Sequence, residues 1–168
     1  TTTFLMATLN LGNVYTRVGD FDDAAAMYAE AETVNARLGD RVTGAMLAGN
    51  AGVVAEKRGD LVLARTKLCE AMDVFEEIGA LQFAVECVEQ LALVIEREGR
   101  RGNAARGLAA AGGQREETGV SLSPVQAAER EALVDRLRAQ LGEGFAAEWS
   151  AGAALTFEDA MTLAREPF

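Results

Sequence analysis

The chain has 168 residues and a formal net charge of −10, from sixteen Lys and Arg against twenty-six Asp and Glu. That balance argues against a nucleic-acid-binding face, which needs a basic stripe to neutralise phosphates, while the length and apolar content suit one ordinary domain with an ample core. Histidine is absent, which excludes His-based triads, His general bases and every zinc site that uses imidazole.

Leu5, Leu9, Gly12 and Tyr15 fall at helical spacing and predict a first helix up to Val18, where Gly19 supplies a left-handed stop. Asp20 caps a second helix over about 21–38, with Ala24, Tyr28, Ala31 and Val34 inward, and Gly39-Asp40 ends that helix and caps the next. The same plan then recurs at a spacing of forty residues, as helices over about 41–58 and 61–78, then 81–98 and 101–118. Gly19, Gly59 and Gly99 mark the turn. Gly12, Gly52 and Ala92 precede it, and Ala24, Ala64 and Ala104 follow. Tyr28, Leu68 and Leu108 come next, then Ala31, Ala71 and Ala111. A fixed period of this size is the mark of stacked supersecondary units, so the expected fold is an all-α solenoid of antiparallel hairpins at about 1–39, 40–79 and 80–119. Gly12 and Gly52 are expected where paired helices approach most closely.

Beyond Gly119 the period fails, and residues 120–168 read as a helical cap. Ser123-Pro124 with Gln126 forms an N-cap, a first-turn proline and a capping box. The helix that follows, to about Leu141, is expected to bury Val125, Ala128, Leu133, Leu137 and Leu141. Gly142 ends it, a short helix carries Phe145 and Trp149, and Thr156 caps a last helix with Met161 and Leu163 inward. A solenoid's end exposes an apolar face, so Phe145, Trp149, Leu155 and Met161 are expected to form the cap's core; the alternative is a ligand pocket lined by Trp149.

Catalytic chemistry finds no support. Asp20, Asp22 and Asp23 lie in a first helical turn, where negative charge is favoured. Gly112-Gly113 lacks the lysine and preceding strand of a phosphate loop. Cys69 and Cys87 stand where other units carry Ala or Leu, and they read as small hydrophobes of a reduced, cytoplasmic compartment. No apolar run reaches membrane-spanning length and no signal peptide is visible. The expectation is a non-enzyme without cofactor or metal, binding neither nucleic acid nor membrane. Opening on Thr1-Thr2-Thr3 without Met, with Phe4-Leu5-Met6 already helical in pattern, the chain reads as a fragment of something larger.

Leu11-Gly12, Tyr15, Gly19-Asp20-Phe21, Ala24, Tyr28 and Ala31 resemble the tetratricopeptide repeat at nearly every place of its pattern. The second unit keeps Gly52, Gly59-Asp60, Ala64 and Ala71 but replaces the aromatics with aliphatic residues, and the third keeps the skeleton. The long unit is similar to repeats of large bacterial signalling ATPases and of MalT-like and LuxR-type transcriptional regulators. The order Leu122-Ser123-Pro124, Glu129-Arg130, Leu137-Arg138, Leu141-Gly142-Glu143, Phe145, Trp149 and Gly152 resembles the C-terminus of many actinobacterial-type multidomain regulators.

The resemblance implies a right-handed superhelix with a concave groove lined by the first helix of each unit. By the family's groove positions, these are Met6, Leu9, Asn13, Thr16 and Arg17; then Met46, Gly49, Val53, Glu56 and Lys57; then Glu86, Glu89, Leu93, Glu96 and Arg97. Leu9 and Gly49 stand where a peptide-carboxylate clamp would carry lysines, and Asn13 alone matches it. The implied partner is a peptide, a protein, or the regulator's own ATPase or effector module, held by a groove apolar near Met6 and Met46 and acidic near Glu86. A small-molecule sensor with a pocket near the cap and a homodimerisation spacer are the alternatives.

Overall fold

The computed structural model describes residues 2–167, and the described residues are all-α, as the forty-residue recurrence requires. The helices are α1 (Thr2–Val18), α2 (Phe21–Leu38), α3 (Arg41–Arg58), α4 (Leu61–Glu77), α5 (Leu81–Arg97) and α6 (Arg101–Thr118). After them come α7 (Pro124–Leu141), a 3₁₀ turn (Gly142–Gly144), α8 (Phe145–Ala153) and α9 (Phe157–Arg165). Two compact units divide the chain, one ending at Gly79 and the other beginning at Ala80. The expected boundary at 119/120 therefore falls inside the second unit, where the third hairpin shares its core with the C-terminal helices.

The predicted helix stops are left-handed. Gly19, Gly39, Gly59, Gly79, Gly99 and Gly119 have φ between 69° and 87°, a conformation that costs glycine little because it has no Cβ. Asp40 accepts from the backbone N–H groups of Val42 and Thr43, and Asp60 from that of Leu63. Asp20, expected to cap α2, makes no side-chain capping bond.

In the first unit α1 pairs with α2 and α3 with α4, and α2 also packs on α3. Its core gathers Leu5, Leu9, Ala24, Tyr28, Ala31, Leu47 and Val54. Burying a leucine of this kind stabilises by ~1.5–3 kcal/mol. A methyl on Gly52 would come 3.2 Å from the Ala64 carbonyl and 2.7 Å from the Leu68 side chain, so α3 and α4 touch there as expected. Tyr28 and Leu68 lie directly over Gly12 and Gly52.

In the second unit α6 sits between neighbours: α5, α7, α8 and α9 all pack on it. This explains its composition. Ala104, Ala105, Gly107, Leu108, Ala109, Ala110 and Ala111 are all buried, because a helix covered on several sides needs small residues all round rather than one apolar stripe. The closest crossing is with α8, where a Cβ on Gly152 would stand 2.3 Å from the backbone oxygen of Arg106.

The cap's core differs from expectation. Met161 is buried with Ala160 and Ala164, whereas Phe145, Trp149, Leu155 and Leu163 are only half-buried. On α7, Leu133 and Leu137 are buried and Leu141 partly so, but Ala128 is exposed and Val125 is 69% exposed. At a hundred degrees per residue, Arg130, Leu133, Leu137 and Gln140 share one narrow edge of α7. Val125 and Ala128 fall outside that edge and face solvent.

Candidate interaction surface

In the first unit, α1 and α3 line a hollow of about 520 Å³ bounded by Asn10, Asn13, Val14, Thr16, Arg17, Tyr28, Asn50 and Val53. Its floor is set by the buried Tyr28, whose hydroxyl donates to Asn13 Oδ1 at 2.7 Å and lies 3.2 Å from Thr16 Oγ1. Thr16 donates to the Gly12 carbonyl at 2.9 Å. Burial pushes the Tyr28 phenol above its ordinary range, only partly offset by the Thr16 bond, so it stays a neutral donor.

Asn13 Oδ1 also accepts from Asn50 Nδ2 at 3.1 Å. These bonds orient both amides. Asn13 has its Nδ2 donor left over and Asn50 its Oδ1 acceptor, with no other partner among the described residues. A donor and an acceptor side by side match the C=O and N–H of a peptide group or an amide side chain. Arg17 is exposed beside them and has no ion-pair partner among the described residues, so a cation stands uncommitted in a strongly acidic chain. Met6 (42% exposed) and Met46 (37% exposed) add adaptable apolar surface on the same two helices.

Of the residues expected in a groove, the structure thus places Asn13, Thr16, Arg17 and Val53 around one hollow and leaves Met6 and Met46 exposed. Leu9 is corrected: it is 3% exposed and belongs to the core with Leu5 and Tyr28. Gly49 is half-buried and packs toward the Ala71 methyl. Glu56 is buried, with Lys57 Nζ 3.7 Å from it.

The acidic residues of the third repeat are corrected as well. Glu89 is bound by Arg115 of α6 through two hydrogen bonds of 2.9 and 2.6 Å, and Arg130 of α7 stands 3.4 Å from it. Glu96 is buried and accepts from Gln140 at 2.8 Å and Arg136 at 3.5 Å, both on α7. These carboxylates do not line an open groove, because α7 covers them. Glu86 and Leu93 are half-buried, and Arg97 is exposed. Desolvation, reinforced by Glu89 and opposed by Arg115, raises the Glu86 carboxyl above its usual range.

Sequence reasoning missed Asn10 and Asn50. The signal was in the period, which sets Asn10, Asn50 and Gln90 at one position and so carries an amide in every repeat. Among the described residues no group of three or more Cys, Asp and Glu is placed to hold a metal ion, and no helix is long and apolar enough to cross a membrane.

The family model of the tetratricopeptide repeat matches residues 4–77, nearly the whole first unit. No curated protein matches the chain.

Proposed function

We propose, on the premise that residues 4–77 are tetratricopeptide repeats, that the chain is a non-catalytic module that binds a peptide or protein segment on the α1/α3 face. Repeats of this family generally mediate protein–protein interaction. The observation that carries the reading is the oriented pair of amides, Asn13 and Asn50, offering one donor and one acceptor to a passing main chain. Arg17 would take an acidic group of the segment, and Met6 and Met46 an apolar one. In its wider setting the module is the C-terminal repeat domain of a cytoplasmic bacterial regulator or signalling ATPase, holding an upstream module inactive until a partner displaces it.

The test is calorimetry with a segment isolated by pull-down. Arg17→Glu should weaken binding about tenfold and reduce its salt dependence, since rim charges act mainly through association. Asn50→Ala should weaken it at any salt concentration. Unchanged affinity in both variants places the interface elsewhere.

A second reading, a small-molecule sensor, is supported by a hollow of about 660 Å³ in the second unit, bounded by Gly112, Gly113, Leu122, Arg130, Trp149 and Ala153 among others. Its volume is in the range of ligand pockets. Trp149 supplies a half-buried aromatic wall with the Arg130 guanidinium 5.8 Å from its ring. Quenching of Trp149 by a small metabolite, without loss of helicity, would favour this reading over the first.

A further inference from the structure

We infer that the α5 face beneath α7 is a second docking surface, built for a helix that lines one edge with arginines, leucines and an amide, and that α7 is its exchangeable resident. This does not rest on the α1/α3 reading. The chemistry of the occupant follows from Glu96. This carboxylate is 9% exposed, and both of its hydrogen-bond donors, Arg136 and Gln140, come from α7. A buried carboxylate without donors is costly, so whatever lies on this face must bring cationic or amide groups. Glu89, two turns earlier on α5, takes its hydrogen bonds from Arg115 of α6 and has the Arg130 guanidinium of α7 beside it at 3.4 Å as a second cation. The order Arg130 to Glu89 and Arg136 to Glu96 means that α7 runs in the same direction as α5. Between the arginines Leu133 is buried, and Leu137 follows. The recognised pattern is therefore Arg-x-x-Leu-x-x-Arg-Leu-x-x-Gln on one helical edge.

The grip of α7 is slight for an eighteen-residue helix. Only Leu133 and Leu137 are buried, and Arg136 is 47% exposed at the long end of ion-pair distance, where such pairs contribute little. Arg130 adds one short bond, to the Leu108 carbonyl at 2.8 Å. The surface beneath is held independently of it: Glu89 keeps its two bonds to Arg115, and Val88, Leu91 and Leu108 are core residues of the α5–α6 hairpin. Glycines in positive φ flank the helix on both sides, Gly119 at 69° and Gly142 at 55°. Beyond the second, α8 is anchored separately by its contact with α6 at Gly152. A strap held along one edge, between two turns, over a preformed acidic face can leave while the face persists.

The probe is a synthetic peptide of residues 122–142 added to the full chain, read by Trp149, the only tryptophan. Arg130 lies over that ring, so exchange of α7 for the peptide should change its emission. In the unmodified chain, α7 amides should exchange with deuterium at least ~10-fold faster than those of α5 and α6, as a separately opening segment does. Leu133→Asp, which weakens the seat of α7 and leaves every residue of α5 and α6 unchanged, should raise affinity for the peptide ~10-fold by removing the competing conformer. A peptide with both arginines replaced by Glu should fail to bind. Exchange of α7 in step with α5 would overturn the inference. So would a helical Leu133→Asp chain that takes the peptide no better than the parent. If Leu133→Asp unfolds, the exchange rates of the unmodified chain decide alone.

Discussion

In the first unit, the face of α3 carries Met46, Gly49, Val53 and Glu56 beside the amides of α1; forty residues on, the matching positions of α5 carry Glu86, Glu89, Leu93 and Glu96 beneath α7. Two replacements account for much of the contrast. Gly49 has no side chain, and the position matching Arg115 is the buried Phe75. In the second unit the same two positions hold Glu89 and Arg115, bound to each other with side chains 11% and 8% exposed. An apolar pair has no further demands, whereas a buried carboxylate has lone pairs to satisfy and draws a second cation from α7. The repeat thus supplies one helical address with two chemistries, one left uncovered in the first unit and one covered by α7 in the second.

Four substitutions and one control sharpen this comparison, and Trp149 reports on the second unit in three of them. Arg115→Ala should cost ~3–5 kcal/mol, the loss expected when one member of a buried pair is removed, and should lower the urea midpoint of Trp149 fluorescence. If the loss is small, water reaches Glu89 and the second face is more open than its geometry implies.

Gly152→Ala comes next, at about 3 kcal/mol, because the methyl meets the backbone of Arg106 rather than a side chain that can turn away. Gly49→Ala is its control in the first unit. The added methyl there would lie 3.7 Å from that of Ala71, an ordinary contact, so thermal melting should show no loss. A matching loss in both would mean that glycine is needed for reasons other than helix contact.

Tyr28→Phe should cost ~0.5–1.5 kcal/mol, the net worth of its hydroxyl bond. It also tests a pH effect. Burial raises the folded phenol above its unfolded value, so the stability it contributes is fully present below about pH 10 and is lost as pH rises beyond that. Denaturation from pH 8.5 to 11 (roughly the span over which a tyrosine titrates) should show that decline in the parent and a shallower one in the variant.

Glu86→Gln should have the smallest effect, and a stabilising one. The Glu86 carboxyl is raised by desolvation, so its contribution is fully present below the unfolded value of about 4.3 and is lost as pH rises through the folded one. At neutral pH the ionised group is a net cost that glutamine removes. A gain at pH 7 that vanishes in acid is the expected result. A loss at pH 7 would show that attraction to Arg115 outweighs burial.

What could be read from the residues in order was whatever depends on neighbours along the chain. The Gly-Asp turns, the capping box at Ser123 and Gln126, and the ends of α1, α2, α3, α6 and α7 all emerge from local backbone chemistry. The forty-residue period made the hairpins legible, because each unit must repeat the small residues that let its two helices meet. The same period also held the amides at Asn10 and Asn50, overlooked because polar residues on a helix face carry no periodic apolar signal.

Tertiary structure decided which faces were covered. Leu9 looks like a groove residue by its place in the repeat, but the packing of α1 on α2 turns it into the core. Val125 and Trp149 look buried by their type, but α7 and α8 meet α6 along edges that leave one exposed and the other half-exposed. Glu89 and Glu96 look solvated by their charge, yet their partners come from helices well removed in the chain. Helix formation is written in contacts a few residues apart, and a sequence displays those directly. Burial of a given side chain is set by which distant surface lands on it, and that depends on the docking of whole helices.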